Sequence, residues 1–68
     1  MRLEQITARA LERLDYDKYL LADVVAKRAK EISQGAKPHV AMDPNKFKHV
    51  DIALNEVADG FVIIEDKN

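Results

Sequence analysis

The sequence predicts a small all-α domain: a bundle of about three helices, with a connector loop between helices two and three and a short extended C-terminal tail. Three segments of the 68-residue chain repeat apolar side chains at intervals of three and four, the period of a helix with one buried face. Glycine, proline and aspartate residues separate these segments. At this length the whole chain, residues 1–68, is expected to form a single domain.

The first helix is predicted over about residues 3–14. Its apolar face is formed by Leu3, Ile6, Ala10 and Leu14. The stretch 15–17 interrupts the period, and Asp17 is a suitable N-cap for a following helix because its carboxylate can accept from the free amides of the first turn. The second helix is therefore expected to begin at Lys18.

The second helix is predicted over about residues 18–34. Its apolar side is formed by Leu21, Val24, Val25 and Ile32. Gly35 is well placed to end this helix, because glycine adopts the left-handed conformation of a C-terminal cap without steric cost. Pro38 follows closely, so the helix is not expected to continue.

The third helix is predicted over about residues 45–59, with Asp43 and Pro44 at its entry and Gly60 at its exit. One apolar stripe, expected to face the other two helices, is formed by Phe47, Val50, Leu54, Val57 and Phe61. The tail over residues 61–64 is apolar and short. The pattern leaves two interpretations open for it, a small strand or an extended segment that packs on a partner.

Composition excludes several classes of function. Eleven basic and twelve acidic residues give a net charge of −1, whereas proteins that bind nucleic acid directly usually have a basic surplus. The chain has no cysteine and its one serine is Ser33, so nucleophilic catalysis lacks its usual residues. No apolar run approaches the ~20 residues of a membrane span. We expect a cytoplasmic protein that is not an enzyme.

The short length itself indicates a binding partner. A domain of this size buries only about 60% of its unfolded surface, and such domains usually add disulfides, a metal ion or a partner to remain folded. Disulfides are excluded because there is no cysteine. A metal site is not expected, because His39 and His49 are the only histidines and no cysteine is present to complete a set of ligands. A partner is the remaining source of stability.

Two residues do not fit a self-contained bundle. Arg28 projects from the middle of the apolar face of the second helix. Either its aliphatic stem packs while its head reaches water, or its guanidinium pairs with a carboxylate from Glu56, from Asp51 or from another chain. Ile52 lies roughly opposite the apolar stripe of the third helix, which makes it the best candidate anchor for a partner.

Two motifs resemble those of the bacterial RNA polymerase omega subunit family. Residues 19–29 read Tyr-Leu-Leu-Ala-Asp-Val-Val-Ala-Lys-Arg-Ala, similar to the family's aromatic-led helix that ends in Val-Ala-x-Arg-Ala. Lys46, residues 50–57 (Val-Asp-Ile-Ala-Leu-Asn-Glu-Val) and Gly60 are similar to its Lys-x-x-x-Val-x-Ile-Ala-Leu-x-Glu-Ile/Val-x-x-Gly pattern. The resemblance covers about residues 3–62.

The resemblance implies a non-catalytic subunit of DNA-directed RNA polymerase that clamps the beta-prime subunit and promotes assembly and stability of the core enzyme, which also contains alpha and beta. It implies no cofactor and no metal, contact with DNA only through the complex, and a cytoplasmic location at the nucleoid. The motif residues expected to bind the partner are Val25, Arg28, Ala29, Ile52, Ala53 and Glu56.

The N-terminus departs from the family pattern. Some omega subunits begin Met-Ala-Arg and, together with beta-prime, hold the alarmone guanosine tetraphosphate there. This chain begins Met1-Arg2-Leu3, so Arg2 is the candidate alarmone contact and the alanine is missing. Two other interpretations remain at this stage, a small helical DNA-binding regulator and a self-associating helical adaptor.

Overall fold

The computed structural model describes residues 3–61, with side chains from Gln5 onward. This part of the chain contains three helices and no strand: α1 (Leu3–Arg13), α2 (Lys18–Ser33) and α3 (His49–Ala58). The predicted all-α class is confirmed. Arg2, and the tail beyond Phe61 that was predicted as a strand or extended segment, lie outside the described residues.

The helix α3 lies at the centre of the fold. It packs against both α1 and α2, whereas α1 and α2 contact each other only briefly. The core between them consists of alanine and branched aliphatic side chains, namely Ile6, Ala10, Leu14, Leu21, Val24, Val25, Ala29, Ile32, Ile52, Ala53, Leu54, Val57 and Ala58. Burial of such side chains, worth about 1.5–3 kcal/mol for each large one, supplies the main favourable free energy of folding.

The central position of α3 corrects the predicted direction of Ile52. The prediction gave this helix one buried face and placed Ile52 on the opposite, exposed side. Ile52 is instead completely buried, and the stripe residues Phe47 and Val50 are about half exposed. The reason is that a helix packed between two neighbours buries more than one face, so a single-stripe interpretation reverses the roles of these residues.

The helix boundaries were predicted closely for α1 and α2, but α3 begins at His49 rather than at residue 45. Asp43 does start a turn, because its carbonyl accepts from the amides of Lys46 (2.9 Å) and Phe47 (3.0 Å). The turn does not continue into α3, since Lys48 is extended, with φ −65° and ψ 142°. The Asp-Pro signal therefore marks a separate turn in the connector.

All three helices end in the same hydrogen-bonded arrangement, the Schellman motif. After α2, Ala36 N donates to Glu31 O (3.0 Å) and Gly35 N to Ile32 O (3.1 Å). Gly35 and Gly60 occupy the left-handed position after α2 and α3, with φ of 107° and 80°. After α1 the same position is held by Asp15, with φ 56°, and Tyr16 follows at φ 63°.

The predicted N-cap of α2 is confirmed. The Asp17 carboxylate accepts from the backbone amides of Tyr19 (3.1 Å) and Leu20 (3.0 Å). These amides have no partner inside the helix, so the carboxylate satisfies donors that would otherwise be lost to the fold. None of the helices within residues 3–61 has the length and apolar character needed to cross a membrane.

Candidate partner interface

The oddly placed Arg28 pairs with Glu56 within the chain. Arg28 Nε donates to Glu56 Oε1 (2.5 Å) and Arg28 Nη2 donates to Glu56 Oε2 (3.3 Å), so the contact between α2 and α3 is bidentate. The Glu56 side chain is completely buried and the Arg28 side chain is 12% exposed. Of the interpretations considered for Arg28, the carboxylate pair with Glu56 is confirmed.

The pair also holds the connector, which we define as residues 34–48 between α2 and α3. His39 N donates to Glu56 Oε2 (2.8 Å), and Lys37 O accepts from Arg28 Nη2 (2.9 Å). Arg28 Nη1 donates to Glu31 Oε1 (2.9 Å) on the exposed side of α2. The Glu56 carboxylate thus accepts three hydrogen bonds, which is what a fully buried charge requires.

The network keeps Arg28 charged. The hydrogen bond to Glu56 raises the pKa of Arg28 above its ordinary value, and this outweighs the opposing effect of burial. A raised pKa of a basic group means that its contribution to stability is present below the ordinary pKa and is lost only as pH rises through the folded-state value. The guanidinium therefore stays ionised throughout the physiological range.

The aromatic side chains of this protein lie on its surface. The chain has four aromatic residues, and their exposed fractions are 69% for Tyr16, 79% for Tyr19, 49% for Phe47 and 52% for Phe61. Val50 is also 54% exposed. Single exposed apolar residues are ordinary, but aromatic residues are enriched in protein–protein interfaces, so these exposed rings are candidate contact residues.

The exposed apolar residues of α3 and its flanks form two groups. Phe47 and Val50 lie at the start of α3, three residues apart. Phe61 lies just past its end and stacks on the connector residue His39, with ring centroids 6.2 Å apart and an interplanar angle of 27°. We call this second group the His39–Phe61 stack.

The six residues predicted to bind a partner lie within the chain's own packing. Ile52, Ala53 and Glu56 are completely buried, and the other three are nearly so: Val25, Arg28 and Ala29. The idea of Ile52 as an exposed anchor is wrong. A direct partner contact by the remaining five stays a prediction, and their burial gives it no support.

Sequence reasoning missed Phe47, Val50 and Phe61 because their spacing matches a core stripe. The aromatic residues could have indicated their own exposure, because they lie at or beyond helix ends, where neighbouring helices cover least.

Across residues 3–61, no three histidine, aspartate or glutamate side chains are grouped so that they could hold a metal ion.

A family model and individual relatives of this chain both lead to subunits of RNA polymerase. The family model RNA polymerase Rpb6 matches residues 11–64. The chain is 54% identical over 65 residues to a DNA-directed RNA polymerase subunit omega from Campylobacter lari, covering 96% of this chain and 90% of that protein. It is 52% identical over 65 residues to the omega subunit from Nitratiruptor sp., covering 96% and 93%. No solved structure shows a significant match to the chain.

Proposed function

Because the chain belongs to the RNA polymerase Rpb6 family, among the omega subunits of DNA-directed RNA polymerase, we propose that it clamps the beta-prime subunit and thereby promotes assembly and stability of the core enzyme. The observation that carries the proposal is the exposure of Phe47, Val50 and Phe61 above an aliphatic core. These side chains offer apolar area that the fold itself leaves uncovered.

Binding through such side chains fits the energetics of subunit assembly. Ordering a flexible segment of a partner costs roughly 1–2 kcal/mol per residue in backbone entropy. Burial of apolar surface returns about 25 cal/mol for each Å² removed from water, and aromatic residues are enriched at the energetic centres of interfaces. A small folded subunit with exposed aromatics can therefore offset the ordering of a beta-prime segment.

The proposed role is non-catalytic. The chain has no cysteine and one serine, and Glu56, the acidic residue buried within the described part of the chain, is fully engaged in structural hydrogen bonds. On this proposal the chain needs no cofactor or metal, works in the cytoplasm at the nucleoid, and meets DNA only through the assembled polymerase. Alpha and beta are its indirect partners, reached through the core enzyme.

Co-purification tests the proposal directly. Tagged full-length chain is expressed in its native cells, captured under native salt, and the bound proteins are identified by mass spectrometry. Recovery of beta-prime and beta in near-equal amounts is expected. Recovery of the chain without either polymerase subunit, at expression levels matching the untagged protein, would contradict the proposal.

The other two interpretations have less support. A helix-turn-helix DNA-binding motif joins its helices by about three or four residues, whereas the connector between α2 and α3 spans residues 34–48. The junction between α1 and α2, residues 14–17, has that length, but the net charge of −1 lacks the basic surplus of proteins that bind nucleic acid directly. Self-association through the exposed apolar side chains makes a different prediction, which analytical ultracentrifugation over a range of concentrations can read. A homo-oligomer that excludes beta-prime would favour the adaptor.

A further inference from the structure

The Arg28–Glu56 pair forms hydrogen bonds that a pair of apolar residues at the same positions could not form. A buried ion pair loses much of its electrostatic attraction to desolvation, and apolar residues of similar volume often stabilise a core equally well. What apolar residues cannot supply is directional hydrogen bonds. The pair uses that capacity on the connector, through the amide of His39 and the carbonyl of Lys37.

The connector's other polar ties to the helices lie at its two ends: the amides of Gly35 and Ala36 donate to Ile32 O and Glu31 O, and the His49 ring contacts Pro44 O (3.2 Å). Its backbone contacts within itself include Met42 N to Val40 O (2.8 Å) and the turn that begins at Asp43. Val40 and Met42 are partly buried and pack against the core. These hydrophobic contacts attract the connector to the core but do not fix the direction of its backbone. Within residues 37–39, the hydrogen bonds that tie the backbone to the helices are those to Arg28 and Glu56.

Glu56 also forms a backbone hydrogen bond with Phe61, the second residue of the His39–Phe61 stack. Its carboxylate holds the backbone of His39, and its own carbonyl accepts from Phe61 N (2.9 Å) in the Schellman motif that ends α3. One buried residue thus holds the backbone of both rings. The rings themselves project outward, since Phe61 is 52% exposed and His39 is exposed.

We propose that Arg28 and Glu56 are positioning residues, and that by fixing the connector they present the His39–Phe61 stack as a contact surface for the polymerase partner. This inference rests on the proposed function for the identity of the partner. It assigns the family motif's arginine and glutamate to the shaping of the interface rather than to direct contact. The side chains that touch the partner are then the rings of His39 and Phe61.

The test replaces the pair by apolar residues of similar size, Arg28→Met with Glu56→Leu, in the full-length chain. The control is Asp23→Leu with Lys27→Met, which removes the same charges from an exposed pair on α2. We expect a Tm within about 5 °C of wild type for both, because apolar replacement of a buried pair is often neutral. Amide hydrogen exchange at His39 should rise at least about tenfold only in the first variant.

Binding is measured with polymerase core enzyme purified without this subunit. The Arg28→Met, Glu56→Leu variant should bind at least about tenfold more weakly than wild type, which corresponds to 1.4 kcal/mol, and the control should bind equally well. Wild-type affinity in the first variant would overturn the inference alone. Failure of wild type to bind the core would overturn the proposed function, and this inference with it.

A second pair of variants decides the matter if the apolar replacement does not fold. His39→Pro deletes the amide that donates to Glu56, and His39→Ala keeps the amide while removing the ring. Weaker binding by His39→Pro than by His39→Ala is expected, since only the first loses the connector's attachment. Equal binding by the two variants would show that the attachment to Glu56 does not matter to the interface.

Discussion

The interior of α3 and its two ends show opposite uses of apolar side chains. From Ile52 to Ala58 every residue except Asn55 is buried, and the apolar ones there are small or aliphatic. At the ends, the larger side chains of Phe47 and Phe61 remain about half exposed. Side-chain size therefore does not identify the core of this protein. The middle of this short helix provides side chains that stabilise the fold, and its two ends provide apolar side chains that are available for binding.

The largest expected effect comes from placing a charge in the interior segment. Ile52→Asp should lower the free energy of unfolding by about 4 kcal/mol or more, because an unpaired carboxylate would replace a completely buried side chain. Far-UV circular dichroism with thermal melting checks it. Retention of a cooperative transition near that of wild type would contradict the assignment of Ile52 to the core.

Glu56 tests the charged part of the interior. Glu56→Ala should cost about 3 kcal/mol, because it leaves the Arg28 guanidinium without its buried partner. The effect is at the lower end for such pairs since Arg28 retains Glu31 and some contact with water. Glu31→Ala is the matched comparison, and it should cost within about 0.5 kcal/mol because its carboxylate is 61% exposed. Chemical denaturation measures the free energy of unfolding of both variants. Equal losses of stability would contradict the distinction between the buried Glu56 and the exposed Glu31.

The exposed end of α3 should respond in binding rather than in stability. Val50→Asp lies two residues before Ile52 on the same helix and is 54% exposed. Its unfolding free energy should stay within about 0.5 kcal/mol of wild type, while binding to core polymerase weakens by at least about tenfold, or 1.4 kcal/mol. Unchanged binding by Val50→Asp would place the interface away from the start of α3.

The smallest effect concerns the exposed junction between α1 and α2, where backbone conformation matters more than packing. Asp15→Gly should raise the free energy of unfolding by about 0.5–1 kcal/mol, because glycine occupies the left-handed position without steric cost. Asp17→Ala should act in the opposite direction, by about 1 kcal/mol, since it removes the N-cap of α2. Thermal melting compares the two, and destabilisation by Asp15→Gly would contradict the steric argument.

The sequence predicted the parts of the fold that depend on local chemistry. The N-cap at Asp17 and the glycine after each of the last two helices follow from residue type and spacing. The partner of Arg28 did not, because water, Asp51, Glu56 and another chain all remained open and the choice depends on how α2 packs on α3. The start of α3 was missed because Asp43 caps a turn that does not continue, which local signals do not distinguish from a helix entry. The candidate site was predicted poorly because the face of a helix that is buried depends on how many neighbours it has.

The exposure of all four aromatic rings also determines how this protein can be observed. A tyrosine or phenylalanine ring gives a near-ultraviolet circular dichroism signal only when fixed asymmetric packing surrounds it. With no tryptophan and no fully buried aromatic ring, the free folded chain should give only a weak signal in that region. A signal in the mixture with polymerase that exceeds the sum of the two separate spectra would then report aromatic rings that become packed in the interface.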